Sequence, residues 1–395
     1  MSFWSAIVRT ARDEIADLLK RPGEAFMYVI MPVIWCLLLV GLFGDGLMRS
    51  LPVGFVNLDH SPASQELELK LQALPSVKPV SLASPQAAKE ALFSGDIYAY
   101  VLIAPDWDRN TGKPDAAALE LYFPKSLYAV ATTLELDIKQ ALLAIETEKL
   151  AALAQRARIT ADTAYRYTHL VSLNAVTLGN IAFNFQAYIL PTLIPGVLHL
   201  ALVFAVAGRL VALWREERVA NWIERAGGSL PAAYLGKILP WWLLFFFYGL
   251  IYIAVFSGYY GWFVHGSMLL WIAGLGLFFF VMCLLPVFLI GLLMQLDWVI
   301  VLSGAVGYIA PIYPYTGFSY PLDAMAPWVR ALAQLFPLTH YFRFQGEQWI
   351  VGAPWQSSLI TLGKLLAFGL FWLAAGAWLY KRQVLAQCRK EQGHE

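Results

Sequence analysis

Six stretches of this chain are apolar enough to sit in lipid, and that constrains its fold more than any other feature. They are Phe26 to Phe43, Phe185 to Val211, Ile238 to Phe256, Met268 to Met294, Trp298 to Ile312 and Leu359 to Tyr380. A helix needs about 20 apolar residues to cross hydrocarbon, and only helices and closed barrels satisfy their backbone there. The first stretch reaches that length with its Gly44 end. The fifth carries Gly304, Gly307 and Pro311, which permit close packing or a bend. Of the 395 residues, 59% are hydrophobic and 14% charged. Soluble domains sit near about 45–50% apolar and about 25% charged. The excess is too large for a soluble core and implies a polytopic α-helical membrane protein.

Charge sets the expected orientation. Arg9, Arg12, Lys20 and Arg21 precede the first run, and Lys381, Arg382, Arg389 and Lys390 follow the last. The basic stretch Arg209 to Lys237 separates the second run from the third. By the positive-inside rule all three lie in the cytoplasm, which puts both termini inside and gives six spans in a cytoplasmic (inner) membrane. The connection Ser257 to Gly266 fits an outer loop, with Tyr259, Tyr260 and Trp262 and no Lys or Arg. Gln295-Leu-Asp297 reads as a short inner turn. The amphipathic, mixed-charge N-terminus does not read as a cleavable signal. Net charge is +1, which implies no attraction to nucleic acid.

Residues 1–25 read as a cytoplasmic connecting helix in the membrane surface. Trp4, Ile7, Ala11, Ile15 and Leu18 form its apolar face. Residues 26–46 are the first transmembrane helix. Residues 47–184 differ in kind and predict a small extracytoplasmic α/β domain. Strands are expected at Leu51–Asp59, Val77–Leu82, Ile97–Ile103 and Leu119–Phe123, and helices at Ala63–Leu74 and Pro85–Phe93. A turn is expected at Asn110–Pro114, and a long helix from Ser126 to about Ile159. Residues 185–395 carry the remaining spans. Within them, 209–237 is a charged loop, and the proline-broken 313–358 predicts short re-entrant or interfacial helices at Pro327–Leu335 and Thr339–Trp349.

Two features bear on function. In the inner loop Glu216, Glu217 and Glu224 alternate with Arg215, Arg218 and Arg225, interleaved with Trp222 and Ile223. Gly227-Gly228 ends a helix there and Pro231 starts the next. The stretch is either a solvated loop serving orientation alone or a lever that passes force into the bilayer. His199, inside a span, is a candidate pathway residue, with a packing role as the plainer reading.

Other chemistry is missing from the pattern. Gly112-Lys113, Gly236-Lys237 and Gly363-Lys364 lack the rest of a phosphate-cradling loop. The histidines show no metal-ligand spacing, and Cys36, Cys283 and Cys388 suggest neither disulfides nor zinc. Gly317-Phe-Ser319-Tyr-Pro321 mimics half of a nucleophile elbow, with Pro in place of the second Gly. The chain reads as no enzyme, with no cofactor of its own.

Several motifs now carry a resemblance. Lys20-Arg21-Pro22 precedes the first span, and Leu51-Pro-Val-Gly-Phe-Val-Asn-Leu-Asp59 and Ser94-Gly-Asp-Ile-Tyr-Ala-Tyr-Val-Leu-Ile-Ala-Pro105 follow it. Tyr188 to Gly196 ends in Ile-Pro-Gly. Gly317 to Met325, Pro327-Trp328 and Phe336-Pro-Leu-Thr-His-Tyr341 precede the last span. Over nearly its whole length the chain resembles the ABC-2 family of ATP-binding-cassette export permeases, in the branch with an external domain after the first span. The resemblance implies that Arg215, Glu217, Arg218, Trp222 and Glu224 form a coupling helix seated on a separate ATPase subunit, which holds ATP and magnesium. It also implies a second permease subunit, identical or not. A periplasmic adaptor is expected where two membranes exist, and the substrate is expected to be amphipathic or hydrophobic. The family's Arg-Glu-x-Gly-Thr-x-Glu pattern is altered: Arg218-Val-Ala-Asn-Trp222 lacks Gly-Thr, and the last acid stands at Glu224. Two rival readings are a membrane-anchored receptor or scaffold working through its external domain, and a lipid-modifying enzyme using Ser319 or His340.

Overall fold

In the computed structural model the described residues are 2–43, 48–107, 119–123, 128–157, 184–293, 298–318 and 320–392. The expected turns at 110–114 and 295–297 lie outside them. The first element, α1 (Phe3–Leu19), is capped by Ser2, whose side chain accepts from Ser5 N at 3.3 Å. It leads into α2 (Pro22–Phe43), which passes through a π-helical turn at Phe26–Ile30 and is hardly buried, packing on the core through one side that includes Tyr28, Val29, Cys36 and Val40.

A second compact unit follows. Its strands are β1 (Leu51–Asn57), β2 (Val77–Ser81), β3 (Ala99–Ile103) and β4 (Glu120–Tyr122), in the order β2-β1-β3-β4. β1 pairs parallel with β2 and β3, and β4 closes the edge antiparallel. The helices are α3 (Pro62–Gln72), α4 (Pro85–Ser94) and α5 (Tyr128–Ala157). Strand alternation sorts them into layers. Val53, Phe55, Val101 and Ile103 face Leu67 and Leu71 of α3 and Leu134 and Ile138 of α5. Val56 and Tyr100 face Ala88 of α4 on the other side. Both short helices begin at a serine cap followed by proline, Ser61-Pro62 and Ser84-Pro85, which is a strong start signal.

The remaining helices form the other unit. They are α6 (Phe185–Arg215), α7 (Val219–Arg225), α8 (Leu230–Ala254), α9 (Met268–Leu293), α10 (Trp298–Ile309), α11 (Pro327–Ala333), α12 (Pro337–Gly346) and α13 (Trp355–Gln392). A π-helical turn at Val255–Tyr259 extends α8, and a 3₁₀ segment at Ala310–Thr316 extends α10. Six described helices are long and apolar enough to cross a membrane: α2, α6, α8, α9, α10 with its extension, and α13. The protein is thus a polytopic helical membrane protein with a small α/β unit. The short helices expected at 327–335 and 339–349 are observed as α11 and α12.

α9 is the enclosed centre of the bundle. Phe344 of α12 sits against Gly274, where any added Cβ would lie 2.1 Å from the ring. Pro195 cannot donate to the carbonyl of Pro191. That carbonyl instead accepts from Gln345 Nε2 at 2.7 Å and Tyr252 Oη at 3.4 Å, which ties α12 and α8 to α6. At this end of the bundle Glu347 accepts from Ser358 at 2.9 Å and Thr361 at 3.0 Å, and Gln348 accepts from Ser267 N at 2.9 Å.

One expectation is corrected here. The apolar face read for the first helix splits in two. Ala6 and Ile7 are buried with Thr10 and Glu14, and with Ala232 they form a small core against α8, whereas Trp4 and Ile15 stay exposed. Docking is close because Gly236 presents no side chain: a Cβ there would lie 2.5 Å from Ile7 O.

Candidate functional site

The charged end of the helical bundle is a lattice of ion pairs between α1 and the segment 209–237. At its centre Glu14 is buried, with a side chain 2% exposed, between Arg209 at 1% and Lys237 at 6%. Its carboxylate accepts from Arg209 Nε at 2.8 Å, from Trp241 Nε1 at 3.1 Å and from Lys237 Nζ. Arg209 spends the rest of its guanidinium on Glu24, at 2.6 Å, and on Asp17. Asp17 also accepts from Arg218 at 3.2 Å. Glu216 takes a bidentate pair from Arg21, both contacts 2.6 Å, and a further contact from Arg218 at 2.6 Å. Arg225 grips Asp13 through contacts of 2.7 and 2.6 Å. Among the described residues, five carboxylates thus meet five cations.

Burying charges is tolerable only with complete pairing, because desolvation costs several kcal/mol per ion. Burial pushes the Glu14 carboxyl up, but Lys237 and Arg209 pull it down further, to a net value below its ordinary one. At Asp17 hydrogen bonds from Arg218 and Arg209 likewise outweigh burial and hold the carboxyl far below its usual range. The hydrogen bonds between Arg21 and Glu216 raise the guanidinium and lower the carboxyl. The lattice therefore fastens α1 to the end of α6, the turn 216–218, α7 and the start of α8.

The expected continuous helix 215–224 is interrupted. α6 ends after Arg215, and Glu217 adopts left-handed φ of 51°. Arg218 N then donates back to Leu213 O at 2.9 Å, a Schellman closure. A second closure at Gly227 and Gly228, with φ of 67° and 77°, ends α7 as the sequence suggested. Ser229 caps α8, and Pro231 lies in its first turn.

Of the residues singled out in sequence, Arg218 joins the lattice and Trp222 is buried. Arg215, Glu217 and Glu224 are exposed. Arg218 Nε and Trp222 Nε1 have no hydrogen-bond partner among the described residues. Both residues line a cavity of about 240 Å³ together with Asp13, Asp17, Asn221 and Arg225. His199 lies apart, buried in the bundle. Its Nδ1 is 2.6 Å from Gly196 O, and its ring is 5.8 Å from Phe278. Its Nε2 has no hydrogen-bond partner among the described residues. His340 is buried with Nε2 3.0 Å from Gln334 O, and Ser319 lies outside the described residues.

Sequence reading missed the partners on α1. Their signal was present: Arg209 stands inside an apolar run and Lys237 at the edge of the next, where a cation requires a named counter-charge.

Six membrane-length helices with a charged collar at one end, and an α/β unit inserted in sequence after the first, define a polytopic membrane protein. The family described as ABC-2 family transporter protein matches residues 25–378, and the chain belongs to it. Its members are the membrane domains of ATP-binding-cassette transporters, a transport component rather than a catalyst; in general they pair as dimers and work with an ATP-binding-cassette ATPase. No curated protein matches the chain.

Proposed function

We propose that this chain is the permease half of an exporter whose power stroke enters at the turn 216–218 and α7. The ion-pair lattice carries the reading. A solvated loop serving orientation alone needs no buried Glu14–Arg209–Lys237 centre. A lever does, because displacement of α7 must reach α6 and α8 without being lost in slack side chains. Arg215, Glu217 and Glu224 offer exposed groups to an ATPase subunit, while Arg218 and Trp222 anchor the same segment inward. ATP-driven closure of two such subunits moves two permease chains, identical or not, between two states. Nucleotide drives the switch only by binding one state more tightly.

In this reading the charged end and both termini face the cytoplasm across the inner membrane. The α/β unit lies outside, where it can meet a periplasmic adaptor. The cargo is amphipathic or hydrophobic, with His199 beside its path. Charge reversal at the exposed Glu217 and Glu224 to Arg tests the assignment. Loss of ATPase co-purification and of export supports it. Retention of both favours a membrane-anchored scaffold working through the α/β unit.

A further inference from the structure

α1 has three faces, and among the described residues only one is covered. Ala6, Ile7, Thr10 and Glu14 are docked on α8. Trp4, Val8, Ile15 and Leu19 form a second stripe, with Trp4 and Leu19 each 74% exposed. Further along the chain Phe26, Met27 and Ile30 of α2 are also exposed, and they belong to a membrane-length helix. The third face carries Arg9 and Arg12, which are exposed and make no ion pair among the described residues. Trp4, Ser5, Val8, Arg9, Arg12 and Asp13 line an open groove of about 610 Å³. Asp13 is its one carboxylate, and Arg225 already holds both of that carboxylate's oxygens, at 2.6 and 2.7 Å. The groove therefore joins an apolar floor to two cations with no counter-charge.

We infer that this groove is a binding site for anionic phospholipid headgroups, the acyl chains lying along Trp4, Val8, Ile15 and Leu19. A free phosphate would leave the apolar stripe in water; a lipid of the adjoining leaflet satisfies both faces at once. A zwitterionic headgroup brings its own cation against the arginines, so the site selects for net negative charge. Each basic side chain near an anionic surface contributes about fivefold in association, or roughly 30-fold for the pair. The same helix delivers Glu14 and Asp17 to the lattice, so occupancy of the groove sets how firmly α1 is seated. The binding itself holds whether or not α7 meets an ATPase.

The test is amide hydrogen exchange of the full chain in nanodiscs of phosphatidylcholine, with and without phosphatidylglycerol. Peptides covering 3–19 should exchange more slowly with the anionic lipid, by up to roughly 30-fold. High salt should erase most of that difference in the wild type, since exposed charges are screened. Arg9→Gln/Arg12→Gln should lose the lipid dependence, and Arg9→Lys/Arg12→Lys should keep it. Equal exchange of the wild type in both membranes would overturn the inference, as would lipid-dependent protection that survives the double Gln variant. Protection by soluble glycerol phosphate in phosphatidylcholine discs would overturn the assignment to lipid.

Discussion

Removing the Glu14 carboxylate tests whether the lattice is a mechanical joint. Gln fits the same space but keeps a single acceptor oxygen for Arg209, Lys237 and Trp241, and it turns an NH₂ toward cations. Arg209 retains Asp17 and Glu24. Lys237, with a side chain 6% exposed, loses its only ion-pair partner among the described residues. Leaving a buried charge uncompensated costs about 3–5 kcal/mol. Glu14→Gln should destabilise the protein by that amount in reversible unfolding in mixed micelles. Lys237→Met in the wild-type background should also destabilise, because Glu14 gives up one of its cations. In the Glu14→Gln background the same change should be neutral or stabilising, since it removes an unpaired buried ammonium. The coupling energy of the cycle should then reach about 2 kcal/mol or more. An equal cost of Lys237→Met in both backgrounds would refute the reasoning: Glu14 and Lys237 would then be neighbours without being partners.

Three further outcomes are expected. Glu217→Gly should stabilise by about 1 kcal/mol in the same unfolding assay, because φ of 51° costs a residue with a Cβ and costs glycine nothing. Gly236→Ala should loosen α1, since its Cβ would meet Ile7 O at 2.5 Å; faster amide exchange in 3–19, with 268–293 unchanged, is the readout. Stability should also depend on pH on the acid side. The Glu14, Asp17 and Glu216 carboxyls are depressed in the folded state, so they contribute fully above their ordinary range, about 4. That contribution is lost as pH falls through about 4 and below. A melting series from pH 7 to 3 should therefore fall at its acid end, and Glu14→Gln/Asp17→Asn should flatten it.

Much of this architecture was legible because lipid leaves few options. Twenty apolar residues in a row admit one reading, and a serine followed by proline, as at Ser61-Pro62 and Ser84-Pro85, is a frequent helix start. The closure at Gly227-Gly228 was equally plain, since glycine is the usual residue in a left-handed cap. The closure at Glu217 was not, because a glutamate in that conformation leaves no local signature. Periodicity showed that α1 is amphipathic but could not say which face would dock. It placed Ile7 with Trp4, whereas tertiary packing on Gly236 takes Ile7 inward with Glu14 and leaves Trp4 outside. Asp13, Glu14 and Asp17 find their partners roughly 200 residues further along the chain. Pairing at that distance is a property of the fold, and only the cations stranded in apolar helices hinted at it.

The account stands on α7 receiving force from another subunit. A photoreactive residue placed at Asn221 or Glu224, both exposed, tests this in intact cells, with mass spectrometry of the adduct. The predicted adduct is an ATP-hydrolysing cassette subunit, captured in quantities that change when ATP turnover is blocked. Adducts with lipid alone, or with proteins that bind no nucleotide, would contradict it.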